Sequence, residues 1–225
     1  MSRATAFFRS TIGLKFLMAI TGLIWVGFVL GHMLGNLKLY IGAAEINAYG
    51  HHLREFGYPL MPKMAFLWIV RVVLLAALLT HIRSAILLTR RAHAARPVGY
   101  KMSQFVESTY ASRSMRWGGF FLAVFIVFHL LHLTTGHLHR DFEHGEVYAN
   151  VVSGFSVVWV SVLYLLAMIP LGMHLYHGVW SCLQTLGASH PEYNVLRKRI
   201  AIAVALIVVA GNISFPLAVL AGIVR

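Results

Sequence analysis

Residues 14–34 read LKFLMAITGLIWVGFVLGHML, and Lys15 is the only Lys, Arg, Asp or Glu among them. A helix needs about 20 residues to cross a hydrocarbon core about 30 Å thick, so this stretch predicts a transmembrane helix. Four further apolar runs follow at 65–88, 117–133, 156–186 and 200–223. The fourth contains Pro170 and predicts a helix that kinks or extends beyond the lipid. The sequence therefore predicts five transmembrane spans.

The composition agrees with a membrane protein. Hydrophobic residues make up 59% of the 225 residues and charged residues 12%, whereas a soluble domain carries about 25% charged residues. The net charge of +12 is carried by residues that flank the apolar runs, which favours a topological role over nucleic-acid binding. The segment 36–63 is too polar to span and predicts a short external helix. We expect one all-α domain over residues 1–225, with spans one to four forming a bundle.

Lys and Arg are distributed unequally between the two sides of the predicted bundle. Thirteen lie on one side: Arg3, Arg9, Lys15, Arg83, Arg90, Arg91, Arg96, Lys101, Arg113, Arg116, Arg197, Lys198 and Arg199. Five lie on the other: Lys38, Arg54, Lys63, Arg140 and Arg225. Arg71 lies inside the second span. By the positive-inside rule, the N-terminus is predicted to be cytoplasmic and the C-terminus outside.

Histidines in the first four spans fall at two depths. With a rise of about 1.5 Å per residue, His32 and His129 lie about 27 Å and 18 Å from the cytoplasmic ends of their spans, in the outer half. His81 and His174 lie about 24 Å and 27 Å from the outer ends of theirs, in the cytoplasmic half. Two histidines at one depth on facing helices can supply both axial ligands of a haem iron. The spacing predicts an outer and an inner haem of the b type.

The same histidines allow other roles, and other residues could serve as ligands. A lone histidine inside a span more often packs by hydrogen bonding or relays protons than binds a metal. Zinc is disfavoured, because it prefers four ligands and no carboxylate or thiol lies at these depths. His132 and His177 each follow a ligand candidate by three residues, on nearly the same face, and either could replace it. Gly27, Gly31 and Gly35 form a face of small residues suited to a macrocycle or to ordinary helix packing.

Four cations are candidate partners of haem propionates. Arg71, inside span two, suits a propionate of the outer haem or snorkels to the headgroups. Lys15, Arg113 and Arg116 suit the inner haem, and they also belong to the topological signal.

Several stretches resemble the cytochrome b subunit of succinate dehydrogenase and fumarate reductase, in its single-chain, di-haem form. Residues 174–187, HLYHGVWSCLQTLG, look like the fourth-helix signature of that family. GHMLGNLKLY around His32 and FHLLHLTTG around His129 are similar to its first and third helices. The stretch GNISFPLAVLAG near the C-terminus is also similar, and the match at His81 rests on its spacing and on HIRSAILLTRR.

The resemblance implies a membrane anchor of succinate:quinone oxidoreductase (complex II) with two b haems and menaquinone as the membrane substrate. By motif position, His32 and His129 would bind the outer haem, and His81 and His174 the inner one. The implied partners are a flavoprotein and an iron–sulfur protein on the cytoplasmic face of a bacterial inner membrane, in a complex that could oligomerise further. The chain would not oxidise succinate by itself, because it has one cysteine, Cys182, and no Gly-rich nucleotide loop. Some members of this family use an acidic residue in the external half for proton transfer. No residue here clearly matches it, and Glu45 and Glu55 lie in the predicted external loop, so that role stays open.

Two rival functions are compatible with the residues. A cytochrome b of a hydrogenase or formate dehydrogenase would also hold two haems. A transporter or structural membrane protein would use the same histidines for packing.

Overall fold

The computed structural model describes residues 2–95 and 110–225. Arg96 and Lys101, which contribute to the predicted orientation, lie outside the described residues. In chain order the helices are α1 Arg3–Arg9, α2 Thr11–Asn36, α3 Ala43–Glu55, α4 Ala65–Ala94, α5 Tyr110–His129, α6 Val147–Ser156, α7 Val158–Thr185 and α8 Asn194–Leu220. Short 3₁₀ helices occur at Leu37–Tyr40 and Pro191–Tyr193, and a π-helical turn at Leu130–Thr134.

Five of these helices, α2, α4, α5, α7 and α8, are long and apolar enough to cross a membrane. This confirms the prediction of five spans, and no strand occurs in the described residues. The helices extend beyond the predicted apolar runs, because polar and basic residues continue the helical hydrogen bonding past the hydrocarbon. Thus α4 continues to Ala94 instead of ending at 88, and α8 begins at Asn194 instead of 200. The predicted short helix in segment 36–63 is present as α3.

The fourth predicted span, roughly 156–186, is present as α7 and begins two residues later than expected. Ser156 ends α6, and Val157 is extended (φ −80°, ψ 106°), so α7 begins only at Val158. The helix then runs through Pro170 without interruption. Its 28 residues are about 42 Å long, more than the hydrocarbon thickness, so this helix extends beyond the lipid.

The transmembrane helices pack as a bundle with α8 on its outside. Helix α2 packs mainly against α4 and α7, α5 packs mainly against α7, and α8 lies along α7. The largest buried cluster lies where α3 and α6 meet the ends of α2, α7 and α8, and it includes Met33, Ile46, Phe155, Tyr164 and Phe215. Large apolar side chains such as Trp117 are exposed on the outer faces, as is expected where the surrounding solvent is lipid.

The N-terminal helix is tied to the bundle at one end. Ser10 caps α2 by accepting a hydrogen bond from the Gly13 amide at 3.0 Å. Arg91 of α4 donates to the Thr11 hydroxyl at 3.1 Å and to the Arg9 carbonyl at 2.6 Å. The end of α4 is thereby joined to the junction between α1 and α2.

Candidate functional site

Two histidine pairs reach across the bundle between helices that are not each other's main packing partners. His32 near the end of α2 and His129 at the end of α5 have ring centroids 6.0 Å apart. His81 of α4 and His174 of α7 have centroids 6.1 Å apart. These are the pairs that the depth argument matched, so the structure brings the predicted partners together at two levels. Their role as iron ligands stays a prediction.

The separation within each pair has the size that an intervening metal requires. Two imidazoles bound to one ion, at about 2.0 Å per nitrogen, have ring centroids about 6 Å apart. The parallel stack of His132 and His139 is closer, at 4.7 Å, whereas an edge or tilted contact such as Phe125–His129, at 6.0 Å, has the same separation as the two pairs. No group of three or more His, Cys, Asp or Glu in the described part of the chain is arranged to hold a metal. Each pair thus offers two protein ligands, the number that axial haem ligation uses.

The glycines near the pairs serve different purposes. A Cβ on Gly27 or Gly31 would meet no atom within 4 Å, so α2 leaves open space along the face that carries them. A Cβ on Gly35 would lie 2.7 Å from the Tyr49 hydroxyl. Gly35 therefore belongs to helix packing, whereas the space at Gly27 and Gly31 is available to a macrocycle or to lipid.

At the inner pair, glycines of neighbouring helices lie against the imidazoles. A Cβ on Gly22 of α2 would lie 3.5 Å from Cε1 of His81, and a Cβ on Gly119 of α5 would lie 3.7 Å from Cε1 of His174. Both distances are ordinary van der Waals contacts. Side chains larger than alanine at these two positions would therefore displace the rings.

A threonine hydroxyl determines which nitrogen of His81 is free. Thr21 Oγ1 donates its proton to the Leu17 carbonyl at 2.7 Å and lies 3.2 Å from His81 Nδ1. Because a hydroxyl has one proton, Thr21 accepts from Nδ1–H of His81. The lone pair of His81 is then on Nε2, the tautomer that a metal ligand needs.

The hydroxyl of Tyr164, on α7, is the hydrogen-bond partner of the histidine Nδ1 atoms at the outer pair. This hydroxyl lies 3.2 Å from His129 Nδ1 and 3.0 Å from His132 Nδ1. A phenol can accept from one histidine while donating to the other. If His129 keeps its Nε2 lone pair for a metal, its Nδ1–H donates to Tyr164, and Tyr164 donates to His132. Thr21 and Tyr164 were absent from the sequence-based site, because nothing in the sequence links them to histidines on other helices.

His132 and His177, which follow His129 and His174 by three residues, contact other aromatic rings. His132 lies in the π-helical turn, is almost fully buried, and stacks on Phe128 and His139. A Cβ on Gly154 would lie 2.8 Å from Cε1 of His132, so α6 holds this ring tightly. On α7, His177 is in ring contact with Trp180. This geometry favours His129 and His174 as the ligands of their helices.

His32 has a polar neighbour at its own nitrogen. The side-chain amide of Asn36 lies 3.3 Å from Nε2 of His32. A metal bound through Nε2 would displace this contact, whereas binding through Nδ1 would preserve it.

The inner half of the bundle contains buried donors without partners in the described structure. They are Ser84 Oγ, His174 Nδ1, His177 Nδ1, Trp180 Nε1, and Nε and Nη1 of Arg197. Buried polar atoms are rarely left unpaired in proteins. These atoms, on α4, α7 and α8, are available to the polar edge of a bound group.

The predicted propionate partners are all exposed in the structure. Arg71 is exposed, with its guanidinium 5.1 Å from the centroid of the Trp68 ring. Lys15 and Arg113 are exposed, and Arg116 Nη1 lies 3.0 Å from His93 Nε2. Arg197, for which the sequence predicted only a topological role, is 3% exposed.

The carboxylates of Glu45 and Glu55, predicted to be external, lie beside basic side chains. Lys63 donates to Glu55 at 2.5 Å and lowers the pKa of that carboxyl. Lys38 lies 3.7 Å from Glu45. Neither contact assigns them a role in proton transfer.

Comparison with known proteins gives one family. A family model described as succinate dehydrogenase/fumarate reductase transmembrane subunit matches residues 92–213. This range is more than half of the chain and contains His129 and His174, while His32 and His81 precede it. No curated protein and no solved structure is significantly similar to the chain.

Proposed function

The chain belongs to the succinate dehydrogenase/fumarate reductase transmembrane subunit family, and on that premise we propose that it is the di-haem cytochrome b subunit of a succinate:quinone oxidoreductase. The observation that supports this proposal is the placement of two histidine pairs, 6.0 and 6.1 Å between ring centroids, at two levels of one bundle. The family match favours this function over the cytochrome b of a hydrogenase or formate dehydrogenase, which would present similar pairs.

Residues of four helices would hold the two groups. His32 and His129 are the proposed axial ligands of the outer haem, and His81 and His174 those of the inner one. When bound, b haems supply one-electron redox chemistry. The chain's contribution is to hold the imidazoles at a fixed separation, to keep the Nδ1 proton on His81 and His129 through Thr21 and Tyr164, and to exclude water with apolar helices.

The unequal distribution of charge supports the proposed orientation and partners. Of the thirteen Lys and Arg assigned to one side from the sequence, the eleven in the described residues lie toward the end of the bundle nearest His81 and His174. We assign this end to the cytoplasmic side of a bacterial inner membrane, as the docking face for an iron–sulfur protein and a flavoprotein. In this arrangement the inner pair is nearest to the soluble subunits, the outer pair lies farther from them, and menaquinone is the membrane substrate.

The test is a set of single substitutions in the purified complex, followed by quantitative haem analysis and low-temperature difference spectra. We expect His32→Ala and His129→Ala to remove the same spectral component, and His81→Ala and His174→Ala to remove the other. One haem or none in the folded wild-type chain would refute the proposal.

The matched controls are the second histidines of the two motifs. His132→Ala and His177→Ala should retain both haems, because their rings face Phe128, His139 and Trp180. Loss of a haem in His132→Ala together with its retention in His129→Ala would reverse the assignment on α5.

A further inference from the structure

A cavity of about 610 Å³ lies where α1, α2 and α4 meet, and none of the four paired histidines lines it. Its apolar wall is formed by Phe8, Leu14, Leu17 and Leu87. The guanidinium-bearing side chains of Arg9, Arg83 and Arg91 also line it. The cavity thus combines an apolar wall with basic groups, a combination that suits an amphiphile.

The basic and apolar residues alternate along one stripe of α4. Arg83, Leu87 and Arg91 are four residues apart and therefore lie on one helix face. Leu14 and Leu17, three residues apart on α2, form the opposing wall. Arginines on such a stripe turn their charged ends toward the membrane surface while their stems cover apolar side chains.

In the described part of the chain, no carboxylate forms an ion pair with Arg83 or Arg91. Positions 1–44 and 56–106 contain no Asp or Glu. The hydrogen bonds of Arg91 go to the Thr11 hydroxyl and the Arg9 carbonyl, which are both neutral. These bonds position the guanidinium without neutralising it, so an anion bound here would be attracted by its positive charge.

The surroundings of the cavity place it at a membrane surface. Phe7, Phe8, Ile12 and Phe16 are exposed beside the arginines. Aromatic and aliphatic side chains next to basic ones are typical of segments that lie in the headgroup region. Basic pockets between transmembrane helices at the positively charged end are suited to lipid phosphates.

We propose that this cavity binds an anionic phospholipid, with its phosphate at Arg83 and Arg91 and an acyl chain along Leu14, Leu17 and Leu87. The proposal goes beyond the proposed function and does not depend on it, because none of these residues belongs to the histidine pairs. A protein partner with an acidic surface is a less suitable occupant, because the wall beneath the arginines is apolar.

Native mass spectrometry of the purified complex tests this with dioleoyl-phosphatidylglycerol, with phosphatidylcholine of the same chains, and with inorganic phosphate as competitor. We expect phosphatidylglycerol to be retained in preference to phosphatidylcholine, and millimolar phosphate to leave it bound. Equal retention of the two lipids, displacement by phosphate, or binding by the isolated chain alone and not by the complex would each overturn the proposal.

Charge variants locate the site. Arg83→Gln should lower retention of phosphatidylglycerol about fivefold, the effect of one arginine near an anionic surface. Arg90→Gln is the matched control, since Arg90 is an exposed arginine of the same helix end that does not line the cavity. An equal loss in Arg90→Gln would indicate a general surface field and refute the site. If Arg83→Gln does not fold, Arg91→Gln provides the same comparison at the other arginine proposed to hold the phosphate.

Discussion

Replacing Tyr164 by Phe tests the outer site through one hydroxyl group. That hydroxyl lies between Nδ1 of His129 at 3.2 Å and Nδ1 of His132 at 3.0 Å. The phenyl ring would remain in edge contact with Phe125 and Phe155, at 5.1 and 4.9 Å between centroids. The substitution therefore removes the hydrogen-bond acceptor of His129 while keeping the packing.

The expected change is a rise in the midpoint potential of the outer haem. An imidazole that donates its Nδ1–H to an acceptor is a more basic ligand and stabilises the oxidised iron. The net free energy of one such hydrogen bond is about 0.5–1.5 kcal/mol. About 1.4 kcal/mol corresponds to about 59 mV for one electron. The midpoint potential should therefore rise by about 20–60 mV. The inner potential should stay unchanged, because its hydroxyl partner is Thr21.

Redox titration followed by low-temperature difference spectra resolves the two potentials. Tyr176→Phe is the matched control, because it removes a phenolic hydroxyl from the same helix α7 without touching the pairs. A potential that does not move or that falls, with two haems still bound, would refute the role assigned to Tyr164. An equal shift in both haems would indicate a global change in the bundle.

Further substitutions address the remaining contacts of the two sites. Thr21→Val should raise the inner potential by a similar amount, because His81 loses its acceptor, and redox titration measures this. Gly27→Leu should lower the content of outer haem without loss of folded protein, measured by haem analysis and thermal unfolding. Arg71→Leu should lower the outer potential if this cation neutralises a propionate, and unchanged potentials would favour snorkelling. Arg197→Gln should lower the inner potential, because a buried positive charge disfavours the oxidised iron; an unchanged titration curve would contradict this.

The five spans could be predicted from the sequence because their length and apolarity are local properties. The break between α6 and α7 could not, because it depends on the extended conformation of Val157, and the nearest glycine, Gly154, is itself helical. Pro170, which predicted a kink or an extension, lies in a helix that continues through it. Helix α1 was missed because seven residues with two arginines give no clear periodic signal.

The pairing of histidines could be predicted because the rise of a helix converts sequence separation into depth. The choice between His129 and His132 required the local geometry, since the π-helical turn moves His132 away from His32 and toward α6. The hydroxyl partners could not be found from spacing. Tyr164 and His129 are 35 positions apart, and their contact depends on the rotation of α7 against α5.

Three adjacent basic residues, Arg197, Lys198 and Arg199, have different environments in the structure although a count of charges treats them alike. In the sequence they form the run RKR at 197–199, where each residue contributes equally to the predicted orientation. In the structure Lys198 and Arg199 are exposed, whereas Arg197 is buried with two nitrogens unpartnered among the described residues. The third nitrogen, Nη2, donates to the side-chain oxygen of Asn194, and an anion beside Nε and Nη1 would offset the several kcal/mol by which burying an unpaired cation is unfavourable. The rotation of α8 about its axis relative to α7 therefore buries Arg197 and leaves Lys198 and Arg199 exposed to solvent and headgroups.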